Sequence, residues 1–529
     1  MTFRRVLAGL LIPAGLLLGA QGAFARSLSL ALVPWENRTG LTALDYLGDL
    51  TFNLVVSELS EYGGLALFER QRSDLILRER SLSLQDLFLL KPAAGVEALV
   101  AGAILKGKDD REKVLELTVT WIAQTGKEGV RIRREIDSLS PDKLQAVIRE
   151  MLAEGVVAPN SLIREKASER PVSGGTAAVI GFNNYSSLTE YDSLQKGIVY
   201  LLEERLSRNP GLQVVERDDL KKILKELQLQ KDFSGGAPLY NLASADLLVA
   251  GCFTWYDRTF RLDARIINVG MTKIERAFHR ESNRSGVVSA TRDLIESIGA
   301  CLTGGGAKRE EAGDIYPATP EALLHYSRGV ELYDQGEYLA AVECINRALS
   351  VDPGYTFGRW EAGRIYEEYL HLYDRAIRAY AAVLESKPPG ALREKCLLRL
   401  GMINYNYLQN YPRAIEYLSR FLREFPDSLY RDVILYSLGH SQQTLGRCDQ
   451  ALALYQRALA DASFSPLRGS FLVRAAQCAE SLGDPVAARR YLETAIRENG
   501  DDVLRAETGA KEVTVKEEAG PLLSRLDRY

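Results

Sequence analysis

The sequence predicts an α/β plus all-α chain, with two tandem layered α/β domains followed by an α-solenoid of about five helical hairpins. Three observations lead there. Short apolar runs alternate with amphipathic helical stretches over the first 300 residues, as in layered α/β domains. Residues 30–79 and 177–226 align on each other without a gap. From about Thr319 to Asp502, small residues recur in register at steps of 35 to 38 residues, the period of stacked helical hairpins.

The chain opens on a targeting segment, residues 1–25. Arg4 and Arg5 give a positive start, Val6 to Ala20 is almost wholly apolar, and Ala23-Phe24-Ala25 supplies small residues for cleavage. We expect a secretory signal peptide cut after Ala25. An uncleaved anchor is the alternative; Pro13 and the Gln21-Gly22 break count against it, because a spanning helix needs ~20 apolar residues. No cysteine near the cut offers a lipid attachment point. The expected destination is a bacterial periplasm.

The two α/β copies are expected at 27–157 and 172–303. Leu30–Trp35 and Ala178–Phe182 read as buried strands, and Leu47–Ser60 and Leu194–Ser207 as helices with a core-facing stripe. After a glycine turn come strands at Leu65–Phe68 and Leu212–Val215, then a second helix holding Ile76-Leu77 or Ile223-Leu224. Strands ending in Val100-Ala101-Gly102 and Val249-Ala250-Gly251 lead through polar turns at Lys106–Lys113 and Tyr256–Thr259 into Val114–Ile122 and Phe260–Val269. Helices at Pro141–Leu152 and Ser289–Leu302 close the copies.

The order of strand, Trp or Phe with Asn, helix, F-E-R or V-E-R with a following L-x-E, then V-x-G and a hairpin resembles the CsgG family, which includes the curli secretion channel. The amino-terminal domain of TolB and outer-membrane activators of cell-wall synthases share part of the pattern. The motif residues in this chain are Glu69, Arg70 and Glu79, and Glu216, Arg217 and Glu226. We read the Glu-Arg pairs as tying a strand end to the next helix start, where the backbone dipole favours acidic groups. The resemblance implies an outer-membrane assembly, and it leaves peripheral membrane association and homo-oligomerisation open. The channel of that family inserts long membrane-spanning hairpins. Here the corresponding stretches hold Lys108-Asp109-Asp110-Arg111 and Arg131-Ile132-Arg133-Arg134, too short and polar for strands of ~9–11 alternating residues.

After the Gly304-Gly305-Gly306 linker (304–318), residues 319–502 resemble a tetratricopeptide repeat (TPR) array. Gly329, Gly336, Tyr338, Ala341, Ile345, Ala348 and Pro353 sit at the repeat's spacing. The second-helix alanines recur at Ala341, Ala376, Ala414, Ala451 and Ala488; Pro388 and Pro426 end the second and third hairpins, and Gly446 and Gly483 mark turns. The repeat family lines a concave groove with the first helix of each hairpin. Carried onto this chain, its groove positions are Tyr326, Val330, Tyr333, Trp360, Arg364, Met402, Tyr405, Asn406, Tyr436 and His440. Aromatic and Arg side chains suit a protein-binding surface. Residues 503–529 read as a polar tail with a capping helix at Pro521–Tyr529.

A net charge of −4 provides no basic stripe for nucleic acid. The sequence lacks G-x-S-x-G, H-E-x-x-H, phosphate-loop and dinucleotide motifs, and its four histidines stand apart. Cys252, Cys301, Cys344, Cys396, Cys448 and Cys478 form no C-x-x-C pair and have no zinc spacing. They read either as buried thiols or as one bridge, for instance Cys252–Cys301. The expectation is a non-catalytic, cofactor-free adaptor of the cell envelope that binds protein or peptide partners. The alternatives are a component of a curli-type export apparatus and an activator of a cell-wall synthase.

Overall fold

The computed structural model describes residues 28–33, 35–41, 44, 46–63, 65–69, 97–107, 113–121, 130–158, 164–165, 172, 175–186, 188–209, 211–215, 245–256, 258–268, 273–303, 315–461, 465–499 and 514–526. The targeting segment, the side chain of Glu69, residues Arg70, Glu79, Glu216, Arg217 and Glu226, the second helix expected in each α/β copy, residues 304–314 of the linker and residues 503–513 lie outside them. The chain forms two compact units, which succeed each other in sequence at Ala307 and Lys308.

The first unit contains, in order, β1 (Leu28–Leu32), β2 (Glu36–Arg38), α1 (Tyr46–Ser60), β3 (Tyr62–Gly63), β4 (Leu65–Glu69), β5 (Ala98–Lys106), β6 (Lys113–Trp121), β7 (Val130–Ile136), α2 (Pro141–Leu152), β8 (Arg164–Glu165), β9 (Thr176–Asn184), α3 (Leu194–Ser207), β10 (Gln213–Val214), β11 (Leu247–Tyr256), β12 (Thr259–Asn268), β13 (Lys273–Asn283) and α4 (Val287–Thr303). Eleven of these strands share one sheet, ordered β10-β9-β11-β12-β13-β4-β1-β5-β6-β7, with β2 beside β5. Each five-strand set runs in the same order: return strand, first strand, then the three strands of a meander. The first strand pairs in parallel with both neighbours, as with Leu30 opposite Leu67 and Ala98. The meander strands are antiparallel.

The expected pair of separate layered domains therefore becomes one sheet. Its seam is short: Lys273 and Ile274 of β13 pair antiparallel with Phe68 and Leu67 of β4. One apolar core crosses it, joining Leu30, Leu54, Val100 and Met151 to Ala178, Leu248, Ile267 and Ile274. The stretch Arg131–Arg134, expected as a polar loop, belongs to strand β7, with Ile132 buried between the exposed Arg131 and Arg133, and Ile136 buried further along. Its alternation is that of a half-buried strand, masked in the sequence by its charge.

Two glycines explain the V-x-G motif. Gly102 in β5 lies against the ring of Trp35, and an added Cβ would come 2.1 Å from a ring carbon. Gly251 in β11 lies the same way against Phe182, at 2.2 Å. Both aromatics are almost fully buried. The aromatic and the glycine, about 70 residues apart in each set, thus form one packing unit, since close-packed interiors leave no spare volume.

The seam also has a polar layer. The apolar face of β12 carries Phe260, Leu262, Ala264 and Ile266 into the core, while its other face carries Arg261, Asp263 and Arg265. Arg261 is fully buried. It donates to both oxygens of Asp263 at 2.8 Å, to Glu281 at 2.7 Å, to Gln145 at 2.5 Å and to Ser57 at 3.5 Å. Arg265 donates to Asn53 at 2.7 Å, and His279 Nδ1 lies 3.2 Å from Ser57 Oγ. Beside them Glu58 accepts from Arg149 at 2.8 and 2.9 Å and from Gln145 at 2.5 Å. Burial pushes the Glu58 carboxyl up, but the hydrogen bonds from Arg149 and Gln145 outweigh it and hold the group below its usual range. A carboxylate depressed in the fold stabilises above its unfolded value, and that stability is lost as pH falls through the folded value. Glu58→Gln is accordingly expected to be less stable than the parent in urea at pH 7, with the difference narrowing as pH falls from about 4.3, the unfolded value, through the lower folded value. A difference that stayed constant over that fall would remove charge as the cause.

The second unit is a helical array. Its hairpins are α5 (Pro320–Asp334) with α6 (Tyr338–Val351), α7 (Thr356–Glu368) with α8 (Tyr373–Glu385), α9 (Gly390–Asn406) with α10 (Tyr411–Glu424), α11 (Arg431–Thr444) with α12 (Cys448–Asp461), and α13 (Arg468–Ser481) with α14 (Pro485–Asn499). The five second-helix alanines are all fully buried, which is why nothing larger fits. The turns of the first, fourth and fifth hairpins use Gly336, Gly446 and Gly483 at φ 83°, 75° and 80°; the second and third place His371 and Gln409 in the left-handed region instead.

A last helix, α15 (Val515–Leu526), starts earlier than the expected cap at Pro521. Thr514 and Glu517 form a reciprocal capping box, with the Glu517 carboxylate accepting from Thr514 N at 2.8 Å and Thr514 Oγ1 accepting from Glu517 N at 3.3 Å. Val515, Ala519 and Leu526 then close the apolar end of the fifth hairpin against Leu472, Ala476 and Leu492.

Candidate protein-binding face of the helical array

The first helices of successive hairpins are cross-linked by side chains about one repeat apart. In the amino-terminal half the centre is Arg364 on α7. It donates to Glu361 at 2.9 Å, to Glu368 at 3.2 Å and to the Tyr333 hydroxyl at 3.2 Å, and its guanidinium lies 4.9 Å from the Tyr333 ring centre. Tyr333 and Tyr369 share a hydroxyl hydrogen bond of 2.6 Å. Arg399 on α9 reaches back to Glu367 at 3.3 Å and Glu368 at 2.5 Å, and Tyr380 donates to Glu367 at 2.9 Å.

Burial works against the Arg364 charge, yet Glu361 holds the guanidinium more firmly protonated than usual. The Tyr333 hydroxyl is pushed up to about 12, first by burial and then by Tyr369, against the pull of Arg364. Burial raises the Glu367 carboxyl in spite of Arg399 and Tyr380. The half-buried charges are therefore paired and fixed in place, as low-dielectric surroundings require.

The carboxy-terminal half is built around tyrosines, amides and the Arg474 guanidinium. Tyr405 OH lies 3.0 Å from His440 Nδ1, and Ser437 Oγ lies 3.8 Å from Met402 Sδ. Arg474 donates to the Tyr436 hydroxyl at 3.4 Å and to Gln477 at 3.4 Å. Gln477 also accepts from Gln443 at 3.2 Å, and its own amide reaches Glu518 of the capping helix at 3.5 Å.

The structure sorts the ten groove positions. Tyr333, Arg364, Met402, Tyr405 and Asn406 are half-buried and reachable from solvent. The expected exposure of Tyr326, Val330, Trp360, Tyr436 and His440 is corrected, because all five are buried. Stacking covers them. Tyr326 meets Tyr355 edge-on at 5.2 Å, Tyr436 meets Phe471 at 6.1 Å, and Trp360 stacks on Phe357 with Lys395 over its ring at 5.0 Å. Sequence reasoning missed Glu361, Glu367, Glu368, Arg399, Gln443, Arg474 and Gln477. The spacing of Glu361, Arg364 and Glu368 by three and then four residues marks one face of α7 and was readable. The partner a full repeat away was not.

Such a face offers phenols, amides and guanidinium groups, side chains able to hydrogen-bond peptide backbone and carboxylates. Among the described residues no group of three or more His, Cys, Asp or Glu is placed to hold a metal, and no helix is long and apolar enough to cross a membrane.

Residues 160–276 match the family model described as "Curli production assembly/transport component CsgG". Residues 322–355, 395–428 and 436–503 match models described as "Tetratricopeptide repeat". No curated protein matches. Solved structures similar to the chain include YrrB, titled a TPR protein with an unusual peptide-binding site (18% identity, 33% of this chain and 85% of that one, TM-score 0.28), and MamA (18%, 34% and 91%, TM-score 0.28). The chain thus joins a mixed α/β sheet region, part of which is similar to CsgG, to a carboxy-terminal helical array that is similar to tetratricopeptide repeats.

Proposed function

We propose that this protein is a non-catalytic scaffold of the bacterial cell envelope, exported by its first 25 residues, that grips a protein partner on the first-helix face of the array. The tandem α/β sets, both CsgG-like in this reading, dock it on an envelope assembly. The observation that carries the reading is the cross-linked inner face: Tyr333, Arg364, Met402 and Tyr405 are reachable yet held by neighbours on adjacent hairpins, so little side-chain freedom remains to be lost on binding. The full chain used as bait on envelope extracts is expected to retain a partner. Arg364→Ala combined with Tyr405→Ala is expected to weaken that capture at least about tenfold, the loss of one to two anchoring side chains. Undiminished capture by the double variant would move the binding surface elsewhere.

The match to CsgG favours a second reading, a component of an outer-membrane export apparatus. The meander hairpins argue for the scaffold: β11 and β12 pair along all ten residues, with most side chains buried within the sheet's own layers. Release by osmotic shock supports the scaffold; ring-shaped particles extracted only by detergent support the export component.

A further inference from the structure

The polar layer at the seam opens on a cleft of about 300 Å³, lined by Gln145, Ala146 and Arg149 of α2 and by His279 and Glu281 of β13. That size is at the lower end of small-ligand sites. Both walls follow from periodicity. Gln145 and Arg149 stand one helical turn apart on one face of α2, and His279 and Glu281 are alternate residues of β13 on one side of the sheet. One wall comes from the first strand set and the other from the second, so the cleft exists only because the two sets share a sheet.

Most of the charge around it is already committed. Arg149 uses Nε and Nη2 on Glu58, Arg261 holds Asp263, and one oxygen of Glu281 accepts from Arg261. Three side-chain atoms of the lining have no partner among the described residues: Arg149 Nη1, His279 Nε2 and the second carboxylate oxygen of Glu281. The second strand set gives a contrast. Arg205 and Glu296 stand where the first set has Glu58 and Arg149, with the charges exchanged and the same 91-residue separation. There the outer member, Glu296, has a side chain 23% exposed, whereas that of Arg149 is 61% exposed. The same pair is thus covered in one set and left open, beside the cleft, in the other.

We propose that this cleft binds a small zwitterion, a ligand with one carboxylate and one ammonium group on a short frame, as in a free amino acid or a dipeptide. The Arg149 guanidinium takes the carboxylate, the Glu281 carboxylate takes the ammonium, and His279 supplies a further contact. A simple anion would face Glu281 and a simple cation would face Arg149, so either would leave one charge of the site unanswered. Ala146 is the one apolar side chain of the lining, and charge complementarity rather than apolar burial therefore sets the selection.

The test titrates the full chain with glycine, glycylglycine and triglycine, zwitterions of increasing charge separation, followed by saturation-transfer NMR of the ligand. At least one of them is expected to saturate a single site with a Kd of about 1 mM or below. Acetate and methylammonium, given separately, are expected to bind at least about tenfold more weakly. Arg149→Gln and Glu281→Gln are each expected to weaken the best zwitterion at least about tenfold, the effect of one lost charge-assisted hydrogen bond. Ala146→Trp fills the cleft from an exposed position and touches none of the polar bonds. It is expected to abolish binding with the melting midpoint unchanged, and it keeps the test decisive should a charge variant fold poorly. Any of three results would overturn the proposal: saturable binding by none of the three zwitterions, binding of acetate or methylammonium as tight as theirs, or full binding by Ala146→Trp. The array's partner enters none of these measurements.

Discussion

Arg261→Met is expected to destabilise the first unit by about 3–5 kcal/mol, the cost of breaking a buried ion pair from one side. Asp263 is the reason. It is itself buried, and both its oxygens accept from the Arg261 guanidinium. Without that cation its charge stays in a low-dielectric layer with two hydrogen bonds missing, and Gln145 and Ser57 each lose one of their partners. Methionine fills much of the volume, so the loss reads charge rather than a cavity. Removing both charges, Arg261→Met with Asp263→Leu, is expected to recover a large part of the stability, because a buried pair exchanged for apolar side chains is close to neutral. Urea denaturation of the parent and the two variants followed by circular dichroism measures both values. A double variant no better than the single one would show that Arg261 acts through its shape.

Gly251→Ala is expected to cost about 1–3 kcal/mol, the usual range for overpacking, and Gly251→Val more. The new Cβ would stand 2.2 Å from the Phe182 ring, so the ring or the strand must move. Neither has room, since Phe182 is 1% exposed and β11 pairs with both β9 and β12. The same argument gives Gly102→Ala a similar cost against Trp35. The decisive variant is Gly251→Ala with Phe182→Ala. If the contact is the cause, the double variant's cost is expected to fall short of the sum of the two single costs by about 0.5 kcal/mol or more, the coupling typical of touching residues. Strict additivity would assign the glycine a backbone role alone.

The two glycine–aromatic units show what was legible in the sequence and what was not. Trp35 with Phe182, and Gly102 with Gly251, stand out as matched positions because a close-packed contact restricts residue type at both ends. The helices Leu194–Ser207 and Pro141–Leu152 were readable to the residue, since apolar spacing and, in the second, an opening Pro set them locally. Strand β7 was hidden because Arg131, Arg133 and Arg134 resemble a solvated turn. The seam was hidden for a different reason. Nothing near Phe68 or Lys273 marks them as partners, and a pairing across 205 residues of sequence leaves no local pattern. In the candidate site, aromatic positions were readable by repeat spacing, but their exposure was not. Whether Tyr436 faces solvent depends on Phe471 in the following hairpin.

The span of these contacts also sets an order of events during synthesis. The seam's hydrogen bonds join residues 204, 212 and 222 apart. None can close until the ribosome has released the chain through Arg261, the last waits for His279, and long loops make such closures slow. Bonds across the array join residues 31 to 38 apart, so each hairpin can seal onto its predecessor soon after it emerges. The sheet waits on its last strand, whereas the array grows link by link. A chain halted near residue 250 would hold the first strand set with the β4 edge still without β13, a bare strand edge of the kind that recruits other chains.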